Sequence, residues 1–165
     1  LATTISSSTS GVVRYPATAA SCSAANILTT MDGMIATSSA DVADREDLTF
    51  FMSVTNFRNY LTGLRLANNF YFDPMSVTNR GGLYEMQYPF QPNIKVVGTV
   101  GLQGLTNRIF LGPAKQIVAG TDLLSDFTEF QLWYDINTDT LRHRISTKLG
   151  VNIAYPEFWT SNDLA

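Results

Sequence analysis

The sequence is poor in ionisable and metal-binding side chains. Among 165 residues there is one cysteine, Cys22, and one histidine, His143. A single thiol excludes an intrachain disulfide and a four-thiolate zinc site, and a single imidazole excludes a multi-histidine metal centre. Charged residues make up only 15% of the chain, against about 25% in an ordinary soluble domain. With 11 Lys and Arg set against 14 Asp and Glu, the net charge is −3, which makes no provision for holding a phosphate backbone. No apolar run approaches the roughly 18 residues that a membrane span requires. The amino end also lacks a basic-then-apolar signal pattern. These absences predict a soluble chain with no membrane partner and no visible address.

What replaces the missing charge is neutral polarity. The chain holds 19 Thr, 13 Ser and 11 Asn, while 45% of it is apolar. A surface of this kind suits β structure, or faces covered by neighbours. The length suffices for one domain with a real core. The first residue is Leu1 rather than Met, which leads us to expect processing or a piece of a longer protein.

Residues 1 to 20 are Ser/Thr-rich and broken by Gly11 and Pro16, which predicts an arm or linker. Ala24, Ile27, Leu28, Met31, Met34 and Ile35 then recur at helical spacing, predicting a helix over about 23 to 38 capped by Ser21 or Ser23. The acidic stretch Asp41, Asp44, Glu46, Asp47 reads as a solvated loop, there being no histidine to complete a metal site. Leu48 to Met52 predicts a strand, and Ser53 the N-cap of a second helix through Phe57, Tyr60, Leu61 and Leu64.

Residues 67 to 93 form a long excursion with one hairpin. The excursion is dense in aromatics, with Phe70, Tyr71, Phe72, Tyr84, Tyr88 and Phe90. Either it folds back on the core or another subunit covers it. The remainder reads as β: Ile94 to Thr99, Arg108 to Leu111 stopped by Gly112-Pro113, Gln116 to Gly120, and Phe130 to Tyr134. A turn at Asp135 to Asp139 leads into a run in which Leu141, His143, Ile145 and Thr147 face one way and Arg142, Arg144, Ser146 and Lys148 the other. Gly150 is placed to introduce a bulge before Val151 to Tyr155. The expected class is α+β, two main helices followed by a β meander.

No constellation for catalysis or metal binding assembles. Asp135-x-Asn137-x-Asp139 copies the first half of a calcium loop, but Thr140 stands where glycine is required and Ser146 where a bidentate Glu should close the shell. An Asx-rich hairpin turn is the better reading. Gly98, Gly101 and Gly104 lack the spacing of a nucleotide fingerprint and read as a flexible loop. Asp122, Asp126 and Glu129 could supply a glycosidase carboxylate pair, but a single loop carries all three. His143 reads as a packed or interface residue. An enzyme is not expected, and no cofactor or metal is called for.

Four segments of the carboxyl half carry a likeness: Ile94-Lys95-Val96-Val97; Phe110-Leu111-Gly112-Pro113 with Gln116 to Leu123; Phe130-Gln131-Leu132-Trp133-Tyr134-Asp135; and Arg144-Ile145 through Gly150 to Pro156. With Asp47 to Ser53 and Asn56-Phe57-Arg58 upstream, the chain over about residues 24 to 159 resembles the end of a tailed-phage major capsid protein of the Hong Kong 97 type. The likeness is to those of phages and prophages of gut Bacteroidetes in particular.

The resemblance implies an axial domain with returning strands of the peripheral domain over 21 to 159, and a tail over 160 to 165. It implies a non-enzymatic structural subunit of a virion capsid, assembled in the bacterial host cytoplasm, and forming pentamers and hexamers with its own copies. The family's arm, extended loop and spine helix have no counterpart here, so its lysine–asparagine crosslinking is not carried over. Contact surfaces are expected at Tyr71, Phe72, Tyr84 and Tyr88, at the Gly101 to Asn107 loop including Leu102, and at Arg142 and Arg144. The basic row that these two form with Lys148 could make a weak contact with packaged DNA or an intersubunit salt-bridge face. A related container or tail protein, and a β-rich carbohydrate-active domain, are the alternative readings.

Overall fold

The computed structural model describes residues 12–15, 22–67, 77–89, 91–121, 130–146 and 148–162. The chain divides into two compact units, one of residues 1–116 with 155–165, the other Ile117–Ala154. The class is α+β, as the sequence implies.

In the first unit, helix α1 (Ile27–Thr37) buries Ile27, Thr30, Met31 and Met34, the spacing of one helical face. It starts later than expected. Asn26 rather than Ser21 or Ser23 is the N-cap, and Ser23 serves the preceding turn, its N–H donating to Asn26 Oδ1 at 2.7 Å and its carbonyl accepting from the amide of Ile27. The acidic stretch is more ordered than a plain loop. It contains a short 3-10 turn, Ala40–Val42, capped by Ser39. It ends in a two-pronged pair in which Arg45 Nε and Nη2 meet Asp47 Oδ1 and Oδ2 at 2.9 and 3.0 Å. Strand β2 (Leu48–Ser53) and helix α2 (Val54–Leu66) follow where the sequence puts them. Ser53 caps α2 by accepting from the Asn56 amide at 3.2 Å.

The sheet has seven strands rather than a simple meander. With β1 (Val13–Arg14), β3 (Thr78–Arg80), β4 (Leu83–Tyr88), β5 (Gln91–Thr99), β6 (Ile109–Pro113) and β11 (Thr160–Ser161), the order is β1-β11-β6-β2-β5-β4-β3. Only β3-β4-β5 is a meander. The central strand β2 runs parallel to β5 and antiparallel to β6, because α2 and the β3-β4 hairpin carry the chain back before β5 begins. Two expectations at the chain's ends are corrected. The arm contributes β1, and the expected tail contributes β11, where Thr160, Ser161 and Asn162 are buried.

Alternation sorts the two faces of this sheet. Leu48, Phe50, Met52, Met86, Tyr88, Ile94, Val96, Ile109 and Leu111 pack into one core with Ile27, Met31, Met34, Phe57, Tyr60 and Leu64 of the helices. Each large side chain buried in this way contributes roughly 1.5–3 kcal/mol. Two glycines permit close approach. Gly98, inside the strand expected over Ile94 to Thr99 though also grouped with Gly101 and Gly104 as loop glycines, lies within β5, where a Cβ would stand 2.7 Å from Phe57 Cβ on α2. Gly112 was expected to stop its strand but lies within β6, and a Cβ there would stand 2.3 Å from Cδ2 of the fully buried Trp159.

The described residues of the second unit form two ribbons. Strands β7 (Ile117–Gly120) and β10 (Gly150–Ile153) pair antiparallel in register. Strands β8 (Phe130–Asp135) and β9 (Thr140–Ile145) form a hairpin. Gly150 pairs with Gly120 without a shift of register. Asp122, Asp126 and Glu129 lie outside the described residues.

Candidate functional site

Of the aromatic excursion, Tyr84 and Tyr88 lie among the described residues. Tyr71 and Phe72 lie outside the described residues. Tyr88 is 3% exposed, and its phenol donates to Asp32 Oδ1 of α1 at 2.5 Å. So little remaining area gives a neighbour nothing to hold, and of the two readings open for this residue, folding back on the core is the one realised. Tyr84 is half-buried, its ring 5.9 Å from that of Phe57. Leu102 is half-buried at the end of the 3-10 turn Val100–Leu102, while Val100 beside it stands exposed.

Both faces of the β8-β9 hairpin are accessible, and they differ sharply. The register pairs Phe130 with Ile145, Leu132 with His143 and Tyr134 with Leu141. Because alternate residues share a face, these six lie together. All of them are exposed, Leu132 and Tyr134 at 55% and Ile145 at 67%. The reverse face pairs Gln131 with Arg144 and Trp133 with Arg142. There Arg142 Nη2 reaches Asp135 Oδ2 at 3.0 Å, so one charge of the expected basic row is matched within the hairpin.

The turn explains how the register is fixed. Asp135 Oδ1 accepts from the Asn137 amide at 3.0 Å, Asp139 takes a positive φ of 50°, and the Tyr134 phenol donates to Asp139 Oδ1. That phenol is pushed up from its ordinary value, chiefly by this bond. Both carboxylate oxygens of Asp135 and one of Asp139 are thereby engaged in turn geometry and in the ion pair to Arg142.

No protein-family model, curated protein or solved structure matches this chain. Its sites are therefore read from geometry alone. Among the described residues no group of three or more His, Cys, Asp or Glu side chains is placed to hold a metal ion, and no helix is long and apolar enough to cross a membrane.

Among the described residues of the first unit are open grooves. One of about 450 Å³ crosses the sheet face away from the helices, floored by Phe51 and Val97 and rimmed by Glu46, Asp47, Glu85, Lys95 and Lys115. Lys95 Nζ meets Glu85 Oε1 at 3.5 Å across it, so its charges are mixed rather than of one sign. Another, about 370 Å³, is lined by Ile35, Ser38, Asp44, Leu48 and Asn93 among others.

Cys22 sits between the Asn107 carbonyl, 3.6 Å away, and Asn162 Nδ2, which donates to its sulfur at 3.5 Å. Burial pushes its thiol up, away from the reactive thiolate.

The apolar face of the hairpin was half visible in the sequence. Leu141, His143 and Ile145 alternate with arginines, and the Asx turn predicts the pairing. The same alternation in Phe130, Leu132 and Tyr134 is the signal that completes the face.

Proposed function

We propose that the chain is a structural subunit, or part of one, of a tailed-phage or prophage capsid, and that it acts by self-association rather than catalysis. The finer fold assignment, a Hong Kong 97-like axial domain with peripheral strands, belongs to the same proposal. Two supports are independent of each other: the ordered run of segments resembling that family, and the distribution of apolar surface. The observation that carries the reading is the second. Large exposed hydrophobic side chains concentrate in residues 117–154, and Phe130, Leu132, Tyr134, Leu141 and Ile145 share one face of the β8-β9 hairpin. Contiguous apolar surface of this kind marks a protein–protein contact, and shell subunits bury such anchors only when neighbours arrive.

The test is electron microscopy of the complete product of the gene that encodes these residues, expressed alone and with any protease encoded beside it. Capsomer-sized rings or closed shells are expected. Failure to form either under every condition, or a gene neighbourhood of metabolic enzymes without terminase or portal genes, overturns the reading.

A further inference from the structure

We propose that the apolar face of the β8-β9 hairpin is a self-docking surface on which two copies of this chain pack face to face about a two-fold axis. The inference stands apart from the shell reading, since a two-fold pair forms whether or not rings or shells do.

Area is the first argument. Five of the six side chains are 55–67% exposed and His143 is exposed as well; at about 100 Å² each the face offers about 600 Å² per copy. A pair therefore covers about 1,200 Å², the lower bound for a specific interface.

Charge is the second. The hairpin's Arg142, Arg144 and Asp135 all lie on the reverse face. Asp139, in the turn, accepts from the Tyr134 phenol. Two identical faces can therefore meet without opposing like charges, whereas a face that selects a different charged partner would carry charge of its own. A two-stranded ribbon is also marginal by itself and gains independent stability from a second layer, as in aligned two-sheet packing.

Symmetry places the residues. Leu132 and His143 are the middle of the three pairs, so a two-fold axis through the centre brings the Leu132–His143 pair of one copy onto that of the other. Phe130, Ile145, Tyr134 and Leu141 flank this centre and close its ends.

The test is sedimentation equilibrium of the 165-residue chain across a wide concentration range. A concentration-dependent dimer is expected. Leu132→Glu should raise the dissociation constant at least 100-fold, because it buries an unpaired carboxylate in each copy. Arg144→Glu, on the reverse face, should change it less than threefold, and His143→Leu should lower it. His143→Cys should form a reducible crosslinked dimer through the central pair. Circular dichroism of each variant separates misfolding from lost association, and the crosslink reports on the face without any disruptive substitution.

A chain that stays monomeric at every concentration overturns the proposal. So does a dimer unaffected by folded Leu132→Glu and uncrosslinked through His143→Cys. Particle formation is read separately by microscopy, so a dimer without shells, or shells with an unchanged Leu132→Glu variant, tells the two proposals apart.

Discussion

Tyr60 and Tyr88 stack in the same core with ring centroids 6.3 Å apart, yet their hydroxyls are placed very differently. That of Tyr88 donates to Asp32, whereas the buried hydroxyl of Tyr60 has no hydrogen-bond partner among the described residues. Burial pushes both phenols well above the ordinary tyrosine range. Removing a satisfied hydroxyl costs a hydrogen bond, while removing an unsatisfied one relieves a desolvated group. Tyr88→Phe should therefore destabilise the chain by about 1 kcal/mol in urea unfolding, and Tyr60→Phe should leave it unchanged or raise it by up to about 1 kcal/mol.

Asp47 gives a prediction with a pH signature. Hydrogen bonds from the Arg45 guanidinium hold its carboxyl below the usual carboxylate range. A depressed folded value stabilises fully above the unfolded value, about 3.9, and the stabilisation is lost as pH falls through the folded value. The melting-temperature gap between the native chain and Asp47→Asn should be largest near neutrality and close progressively below about pH 4.

The strand β2, its capping serine and α2 are the best-marked elements in the sequence, because Ser53 follows a β-favouring run and precedes apolar residues at helical spacing. Ser53→Ala should cost about 1 kcal/mol through the lost cap, measured by thermal unfolding. The glycines were legible only as punctuation. Gly112 reads as a stop signal, yet it lies inside a strand, since what it accommodates is the Trp159 ring and not a turn; the strand around Gly98 was legible as Ile94 to Thr99, but not that Phe57 packs against it. Gly112→Ala should cost about 1–3 kcal/mol by forcing the Trp159 ring away from β6.

Long-range pairing was equally hidden. Val13 and Arg14 carry little local strand signal, and they form β1 because Thr160 and Ser161 complete its hydrogen bonds. The burial of Tyr88 depends on an aspartate on α1, 56 positions away, a distance that periodicity cannot read.

The two units differ in how much they bury. The first holds the helix-covered core, while strands β8 and β9 are exposed almost throughout. Local stability follows buried apolar contact. In native-state hydrogen exchange, amides of β2 and β5 should exchange slowest, and those of β8 and β9 faster by orders of magnitude. If the hairpin docks on its copy, raising the concentration should slow β8 and β9 selectively.

The pairing of β11 between β1 and β6 also bears on the order of events at the ribosome. Strand β1 emerges before the other described strands of this sheet, but its partner residues Thr160 and Ser161 are translated only after α1, α2 and strands β2 to β10. Until then the β11 side of β6 is an open edge inside the nascent chain, and closing it is a late step spanning a large sequence separation. A ribosome stalled before the codon for Thr160 would therefore hold a core already able to pack but a sheet still missing two of its seven described strands.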